Sequence, residues 1–204
     1  MYRALTVARE YESGGDRIAS LLAERLGWKL IDSALLEEVA HIAHVDPQLV
    51  RKFDECVDSW VHRVSRRALT YGAFDAVAVL PETVIFDAET TARLTRTAIE
   101  HAWESGNCVI LGRGSQCVLQ DRPDVFHVFL FAPFDGRVVN AFLPGDRVAD
   151  VAERVRAADV QRARYVQMNF RQEWRNPHLY DLMMDAHLGD ERVVATILAG
   201  MGSH

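Results

Sequence analysis

Cysteine is scarce in this chain, and long apolar runs are missing from it. The cysteines are an odd number without metal-binding spacing, which predicts reduced thiols rather than disulfides or a zinc site: Cys56, Cys108 and Cys117. No apolar run approaches the ~20 residues of a bilayer-spanning helix. The N-terminus also lacks the basic-then-apolar order of a signal peptide. We therefore expect a cytoplasmic protein without a membrane partner.

Positive charge is in deficit as well. The 204 residues include 23 lysines and arginines against 29 acidic residues, and the formal net charge is -6. This balance argues against a general nucleic-acid binder, because such binding rests on neutralised phosphates, although a local basic patch stays open. Internal repeats and low-complexity linkers are also missing, so residues 1–204 are predicted to form a single domain.

Apolar strand patterns alternate with amphipathic helical patterns along the sequence. The runs CVIL and VFHVFLF are almost entirely apolar, as expected for strands of a parallel sheet that is covered on both faces. We therefore predict an α/β fold with a parallel sheet flanked by helices. The predicted strands are 3–8, 28–31, the segment CVILGRG, 125–131 and YDLMMDA, and the predicted helical segments are 18–26, 33–78, 88–104, 147–170 and DERVVATIL.

The first predicted strand runs into a loop and then a helix, in the segment VAREYESGGDR at residues 7–17. A helix N-terminus after a buried strand presents free N–H groups and the positive end of the helix dipole to an anion. Gly14 and Gly15 let the backbone approach such an anion closely. The segment lacks, however, the lysine and the Ser/Thr of the phosphate-loop pattern G-x-x-x-x-G-K-[ST]. Spacing alone leaves a phosphate-binding loop and an ordinary strand–helix turn equally open.

Polar residues also follow two other predicted strands. Arg113 stands between two glycines after CVIL, and an arginine at the carboxyl edge of a parallel sheet suits a phosphate or a nucleobase. Asp32 and Ser33 follow the second strand at the same edge, where Asp32 can orient a hydroxyl, hold a metal-bound water or act as a base. The alternatives are a surface arginine in a turn and an ordinary helix cap.

Arginines accumulate in the helical segment 147–170. Arg154 and Arg162 are eight residues apart, as are Arg156 and Arg164, so each pair lies on one helical face. Arginines near a phosphate loop would neutralise the charge that develops on a transferred phosphoryl group. The alternative is a solvated helix face.

Taken together, these segments resemble the cytidylate kinase-like family. The resemblance rests on VAREYESGGDRIASLLAERLGWKLID, CVILGRGSQCVL, FHVFLFAP, DVQRARYVQ and NPHLYDLMMDAHLGDERVV, and it is less clear over residues 58–81. It implies a P-loop kinase-type fold, with five parallel strands between helices. It also implies a helical acceptor-binding region at residues 33–87 and an arginine-rich lid region at residues 144–170.

The resemblance implies ATP-dependent phosphoryl transfer to a nucleoside monophosphate such as CMP or dCMP, with Mg²⁺ as cofactor. The phosphates of ATP would lie over the first loop, at Arg9, Glu10, Ser13, Gly14, Gly15, Asp16 and Arg17. The acceptor would lie between Asp32, Ser33 and Arg113, and Mg²⁺ would be anchored through water by Asp16, Asp32 or one of the loop glutamates. The residues expected to act in the transfer are Arg17, Asp32, Arg162 and Arg164. Segment 58–81 would contact the acceptor or pack against a second subunit of a homodimer.

The phosphate loop departs from the kinase pattern at several positions. Arg9 stands at the first glycine of the pattern, Gly15 at the lysine, and Asp16 at the Ser/Thr that would touch Mg²⁺. The family usually has glycine where this chain has Glu12, and a left-handed backbone there would cost Glu roughly 1 kcal/mol more than Gly. Gly114 stands where true cytidylate kinases have the aspartate of G-R-D.

These departures leave two hypotheses from different classes. The chain is a kinase in which an arginine of the loop, Arg9 or Arg17, supplies the lost lysine charge, acting on a nucleoside monophosphate or another small phosphate acceptor. Alternatively, it is a catalytically inactive nucleotide-binding or regulatory protein on a kinase fold. The missing lysine, the missing hydroxyl and Glu12 favour the second hypothesis.

Overall fold

The computed structural model describes residues 1–32 and 88–202. Within these ranges, five strands alternate with six α-helices and two short 3₁₀ segments. The strands are β1 (Ala4–Arg9), β2 (Lys29–Ile31), β3 (Cys108–Leu111), β4 (Val125–Phe131) and β5 (Leu182–Asp185). The α-helices are α1 (Gly15–Leu26), α2 (Ala88–Ser105), α3 (Ser115–Val118), α4 (Phe134–Asn140), α5 (Val148–Phe170) and α6 (Asp190–Gly200), and the 3₁₀ segments are Pro177–Leu179 and Ala186–Leu188.

The five strands form one parallel sheet in the order β2-β3-β1-β4-β5. Strand β1 lies in the centre, where Thr6 is level with Ile110 of β3 and with His127 of β4. The predicted α/β fold with five parallel strands is therefore confirmed. Because all strands point the same way, their carboxyl ends meet at one edge of the sheet.

Apolar side chains cover both faces of this sheet. On one face, α1 and α6 pack over β1, β3 and β4 through side chains that include Leu5, Ile18, Leu22, Val194 and Ile197. On the other face, Ile99 of α2 packs with Ile110 of β3, and Phe129 of β4 packs with Trp174. Burial on both faces explains why the central strands are almost entirely apolar.

Helix α1 begins and ends at glycines with a left-handed backbone. Gly14 precedes its first turn with φ of 87° and without a side-chain cap. Gly27 follows its last turn with φ of 64°, and its N–H donates to the carbonyls of the preceding turn. The helix therefore stops where the sequence predicts, and its first turn keeps N–H groups that no side chain caps.

The two regions that surround the predicted site differ in how far the structure describes them. The predicted acceptor-binding region, with Ser33 and segment 58–81, lies outside the described residues. The predicted lid region contains α5, a continuous helix of 23 residues. In the described parts of the chain, no helix has the length and apolar character needed to cross a membrane.

Candidate functional site

The predicted phosphate- and acceptor-binding residues that the structure describes lie at three of the connections that leave the carboxyl edge of the sheet. The loop after β1 joins it to α1, Gly112–Gly114 follow β3, and Asp32 follows β2. In the first loop, Glu12 has φ of 56° and Gly14 has φ of 87°. Glu12 therefore adopts the left-handed backbone that glycine adopts more readily, and the strain expected at this position is present.

Arg9 and Asp16 form an ion pair across the base of this loop. Arg9 donates from Nη2 and Nε to the two carboxylate oxygens of Asp16, over 2.7 and 3.4 Å. The Arg9 side chain is 10% exposed and the Asp16 side chain 43% exposed. Burial opposes ionisation of Asp16, but the charge and hydrogen bonds of Arg9, with the charge of Arg162, hold its pKa below the ordinary value.

Two glycines provide the space that Arg9 occupies. A Cβ atom at Gly15 would stand 2.5 Å from Cβ and 2.7 Å from Cγ of Arg9. A Cβ atom at Gly112 would stand 2.5 Å from Nη1 of Arg9. Arg9 therefore excludes any side chain at position 15, where the phosphate-loop pattern has its lysine.

Four charged residues form a network beneath the loop, two acids and two arginines: Glu10, Arg137, Asp159 and Arg175. Arg175 Nη2 donates to Glu10 over 2.6 Å, and Arg137 Nη1 donates to Asp159 over 2.7 Å. Arg137 also lies 3.3 Å from Glu10. The side chains of Glu10, Arg137 and Asp159 are at most 10% exposed, whereas that of Arg175 is 52% exposed.

The same network attaches helix α5 to the loop backbone. The Tyr11 N–H donates to Asp159 over 2.8 Å, and Arg137 Nη1 donates to the Tyr11 carbonyl over 3.1 Å. The Glu10 carboxylate accepts the Ala132 N–H. The predicted role of Glu10 in phosphate binding therefore needs correction for its side chain, which is buried and bonded to these groups instead.

The predicted lid arginines separate into different surroundings. Arg162 donates to the Arg9 carbonyl over 3.1 Å and lies over the Tyr11 ring, so it belongs to the loop. Arg164 is exposed and makes no hydrogen bond or ion pair within the described ranges. Arg154 binds Asp146 and the Ala141 carbonyl. Arg162 and Arg154 thus both contact the loop after β1, because Arg154 also hydrogen-bonds the Tyr11 side chain, and Arg164 does not.

Arg17 pairs with helix α6 rather than with the loop. Its guanidinium donates to both carboxylate oxygens of Asp190, one of them over 2.9 Å, and its side chain is 67% exposed. Nη2 of Arg17 also lies 3.4 Å from the point where a Cβ atom of Gly14 would stand. Arg17 is therefore beside the loop, but its charge is matched by Asp190.

The connection after β3 has three consecutive residues with a left-handed backbone. Gly112, Arg113 and Gly114 have φ of 74°, 52° and 69°. The Arg113 guanidinium lies 5.6 Å from the Tyr165 ring centroid, and a Cβ atom at Gly114 would overlap the ring of Phe170. Burial, with the charge of Arg9, lowers the pKa of Arg113, although Tyr165 opposes this. Two arginines from adjacent strands thus stand close together at this edge.

Several residues of the site were missed by the sequence prediction. They are Arg137, Asp159 and Arg175 of the network, together with Asn140, whose Nδ2 donates to the Glu12 carbonyl over 3.1 Å. In the sequence, Asp159 stands out only as one of the few acidic residues in an arginine-rich helical segment. No spacing connects these residues with the loop, because their partners are more than 120 residues away in sequence.

The residues of the edge suit an anion better than a metal ion held by the loop. Arg9, Arg113 and Arg162 stand near the uncapped first turn of α1, where N–H groups and the helix dipole favour negative charge. Both oxygens of Asp16 already accept hydrogen bonds from Arg9. Within the described ranges, no three histidine, cysteine or acidic side chains form a metal-binding group.

Comparison with known proteins supports the fold and indicates the family. A sequence model described as the cytidylate kinase-like family matches residues 4–187. An uncharacterized protein from Eubacterium ventriosum ATCC 27560 has a similar structure, with a TM-score of 0.71, 18% identity and 99% coverage of each chain. Shikimate kinase from Bacteroides thetaiotaomicron has a TM-score of 0.52, 14% identity and 97% coverage of each chain. No curated protein matches the sequence significantly.

Proposed function

The chain belongs to the cytidylate kinase-like family, and we propose that it is a nucleotide kinase. ATP binds with its phosphates over the loop between β1 and α1. A nucleoside monophosphate such as CMP or dCMP accepts the phosphoryl group at the neighbouring end of β3. Asp32, Ser33 and Arg113 bind this acceptor. In the described site, the observation that carries the proposal is the convergence of Arg9, Arg113 and Arg162 on an uncapped helix N-terminus.

Each residue of the loop has a separate task in this proposal. The N–H groups of Ser13–Asp16 and the dipole of α1 hold the phosphates, and Gly14 lets the backbone approach them. Arg162 lies at the Arg9 carbonyl, where its positive charge is close to the charge that develops on the transferred phosphoryl group. Catalysis then consists of positioning and electrostatic stabilisation, which suffice for much of phosphoryl transfer.

Mg²⁺ is the cofactor that the family resemblance implies, but Asp16 does not fit it. A hard cation prefers charged carboxylate oxygens, and the charge of Asp16 is already matched by Arg9, which donates to both of its oxygens. Asp32 remains as the other predicted aspartate anchor, and it lies at the end of β2. No step of the proposed reaction is therefore assigned to a metal ion held by the loop.

The proposal is tested by incubating the purified protein with ATP and a panel of nucleoside monophosphates while ADP is measured. We expect ADP formation with CMP or dCMP. Arg162→Met should lower kcat by about 10²-fold or more, as for the loss of one group that stabilises the transition state. Arg25→Met at the other end of α1 is the control, because Arg25 pairs with exposed Glu191, and it should stay within about twofold. Equal activity of the two variants would contradict the role of Arg162.

A second candidate function is nucleotide binding without turnover. The contact between Arg9 and position 15 favours it, because it excludes the lysine that contacts the transferred phosphate in P-loop kinases. Calorimetric titration with ATP distinguishes the two functions. Binding without ADP formation for any acceptor would support the second function, whereas turnover would contradict it. Absence of both would contradict the assignment of the loop.

The cytoplasm is the compartment we propose, with nucleotides as partners. Burial raises the pKa of the Cys108 thiol to about 12 and that of the Cys117 thiol to about 11. These thiols stay protonated near neutral pH, which matches the role of unreactive core residues in a reducing compartment. Association into a homodimer stays a prediction that sedimentation of the purified protein can test.

A further inference from the structure

Asp16 stands where the phosphate-loop pattern has its metal-anchoring Ser/Thr, and it is already bonded to the cationic side chain of Arg9. Arg9 donates hydrogen bonds to both carboxylate oxygens of Asp16, so Mg²⁺ would meet a carboxylate whose charge is already neutralised. The guanidinium would also stand close to the incoming metal ion, and two cations at such a distance repel each other. Binding of a metal ion at Asp16 is therefore opposed by the residue that holds Asp16 in place.

Arg9 is closely packed in the position that it occupies. Its stem passes over Gly15 and its Nη1 lies against Gly112, both at distances that leave no room for a Cβ atom. Its side chain is 10% exposed, so it does not extend into solvent. The ion pair is therefore built into the packing of β1, α1 and β3, and it does not depend on a ligand.

Asp32, the other predicted aspartate anchor, does not replace Asp16 within the loop. Strand β3 lies between β2 and β1, so Asp32 follows a strand that is two positions away from the strand that enters the loop. With neighbouring strands ~4.8 Å apart, the two strand ends are separated laterally by roughly 10 Å. A metal ion anchored at Asp32 would therefore not be held directly by the loop.

We infer that the Arg9–Asp16 pair takes the place of the metal anchor of this loop, because Arg9 neutralises a carboxylate that would otherwise repel phosphate. The loop then binds a polyphosphate chain through the N–H groups of α1 and the charge of Arg162, without a divalent cation. This inference rests on the proposed function, since it concerns the same loop. The inference concerns metal-independent binding of a polyphosphate chain, whereas the proposed function concerns phosphoryl transfer.

Inorganic tripolyphosphate tests the inference, because it has the charge of a nucleotide's phosphates without a base. Calorimetric titrations of the full chain in EDTA and in excess MgCl₂ should give dissociation constants within about threefold of each other. Arg9→Met keeps the apolar stem but leaves the Asp16 charge without its partner, so it should weaken binding at least about tenfold in EDTA, while Arg9→Lys should recover part of the affinity. The control is Arg25→Met at the other end of α1, where Arg25 pairs with exposed Glu191.

The outcomes separate this inference from the proposed kinase activity. Binding that appears only with Mg²⁺ would overturn the inference, even if the protein proves to be a kinase. Unchanged binding by a folded Arg9→Met variant would overturn it too. The comparison of the EDTA and MgCl₂ buffers uses the wild type alone. It therefore tests the inference even if Arg9→Met does not fold. Metal-independent binding without ADP formation would support the inference and contradict the kinase, whereas no binding of tripolyphosphate or ATP would overturn both.

Discussion

The residue types that fit at positions 9 and 15 of this loop depend on each other. Arg9 fills the space that a side chain at position 15 would need, and Asp16 then binds the guanidinium. The absent lysine, the absent hydroxyl and the extra arginine are therefore one coordinated arrangement. This is a physical reason to treat the loop as an alternative form and not as a kinase loop damaged at three independent positions.

A double-mutant cycle at these positions measures the dependence. Gly15→Ala should destabilise the protein by about 1–3 kcal/mol, because the new methyl group overlaps the stem of Arg9. In an Arg9→Gly background the same substitution should have a much smaller effect on the free energy of unfolding. We expect a coupling of about 1 kcal/mol or more from urea unfolding of the four proteins. Additive effects would contradict the contact.

Asp16 gives the fold a dependence on pH. Its pKa in the folded chain is lower than the ordinary value of 3.8, so its carboxylate stabilises the fold above that value. The contribution is lost as the pH falls through the folded-state pKa. The difference in unfolding free energy between the wild type and Asp16→Asn should therefore be largest near about pH 6 and shrink towards about pH 3. A difference that is constant with pH would contradict the ion pair.

At the scale of elements, the loop and α5 are held together by buried charge. Asp159 accepts hydrogen bonds from the Tyr11 N–H and from Arg137, which also contacts the loop. Helix α5 lies in the predicted lid region, and Asp159 attaches its middle to the loop after β1. A closing movement of the predicted lid region would have to keep or break these buried hydrogen bonds.

Substitution of Asp159 tests this attachment. Asp159→Ala leaves Arg137 and the Tyr11 N–H without their acceptor in a buried place and should lower the free energy of unfolding by about 3–5 kcal/mol. The control is Arg175→Met, which removes the half-exposed member of the network and should cost about 1 kcal/mol or less. Urea unfolding of both variants provides the comparison. Similar losses of unfolding free energy for the two variants would contradict a larger contribution from the buried Asp159 than from the half-exposed Arg175.

Regular elements with a clear period were predicted closely from the sequence. The strand 125–131 matches the observed Val125–Phe131, and the helix 147–170 matches Val148–Phe170 within one residue. Helix α4 was not predicted, because Gly136 interrupts its short pattern. The structure explains this glycine: a Cβ atom there would overlap the ring of His187, which follows β5.

The site was only partly predictable for a different reason. Gly14, Arg9 and Arg162 could be found, because loop position and helical spacing point to them. The network of Arg137 and Asp159 could not, since hydrogen bonds between residues more than 100 positions apart leave no period in the sequence. The pairing of Arg9 with Asp16 was also missed, although only seven positions separate them, because packing around two glycines decides it.

Across the whole molecule, charge is distributed unevenly. The chain has a net charge of -6, yet Arg9, Arg113 and Arg162 collect at the carboxyl edge of the sheet. Anion binding at this edge should therefore weaken with salt. We expect the affinity for tripolyphosphate to fall about tenfold between roughly 0.05 and 0.5 M NaCl, as screening shortens the range of these charges.

Stability should respond to salt much less than binding does. The ion pairs beneath the loop are buried and thus poorly screened, while the exposed pairs between α1 and α6 contribute little. Over the same salt range, the free energy of unfolding should change by less than about 1 kcal/mol. Tripolyphosphate titrations and urea unfolding at the same salt concentrations test these two expectations. An affinity that does not change with salt would contradict a role of the charged edge in anion binding.

The contact between Arg9 and Gly15 also restricts the routes by which such a loop can change over generations. A lineage that gains a lysine at position 15 while Arg9 remains produces a steric clash. One that first loses Arg9 passes through a form with neither cation, in which the Asp16 carboxylate has lost its partner. We expect each single step to be unfavourable, whereas paired substitutions avoid both problems. The effect of a substitution at either position should therefore depend on the residue at the other.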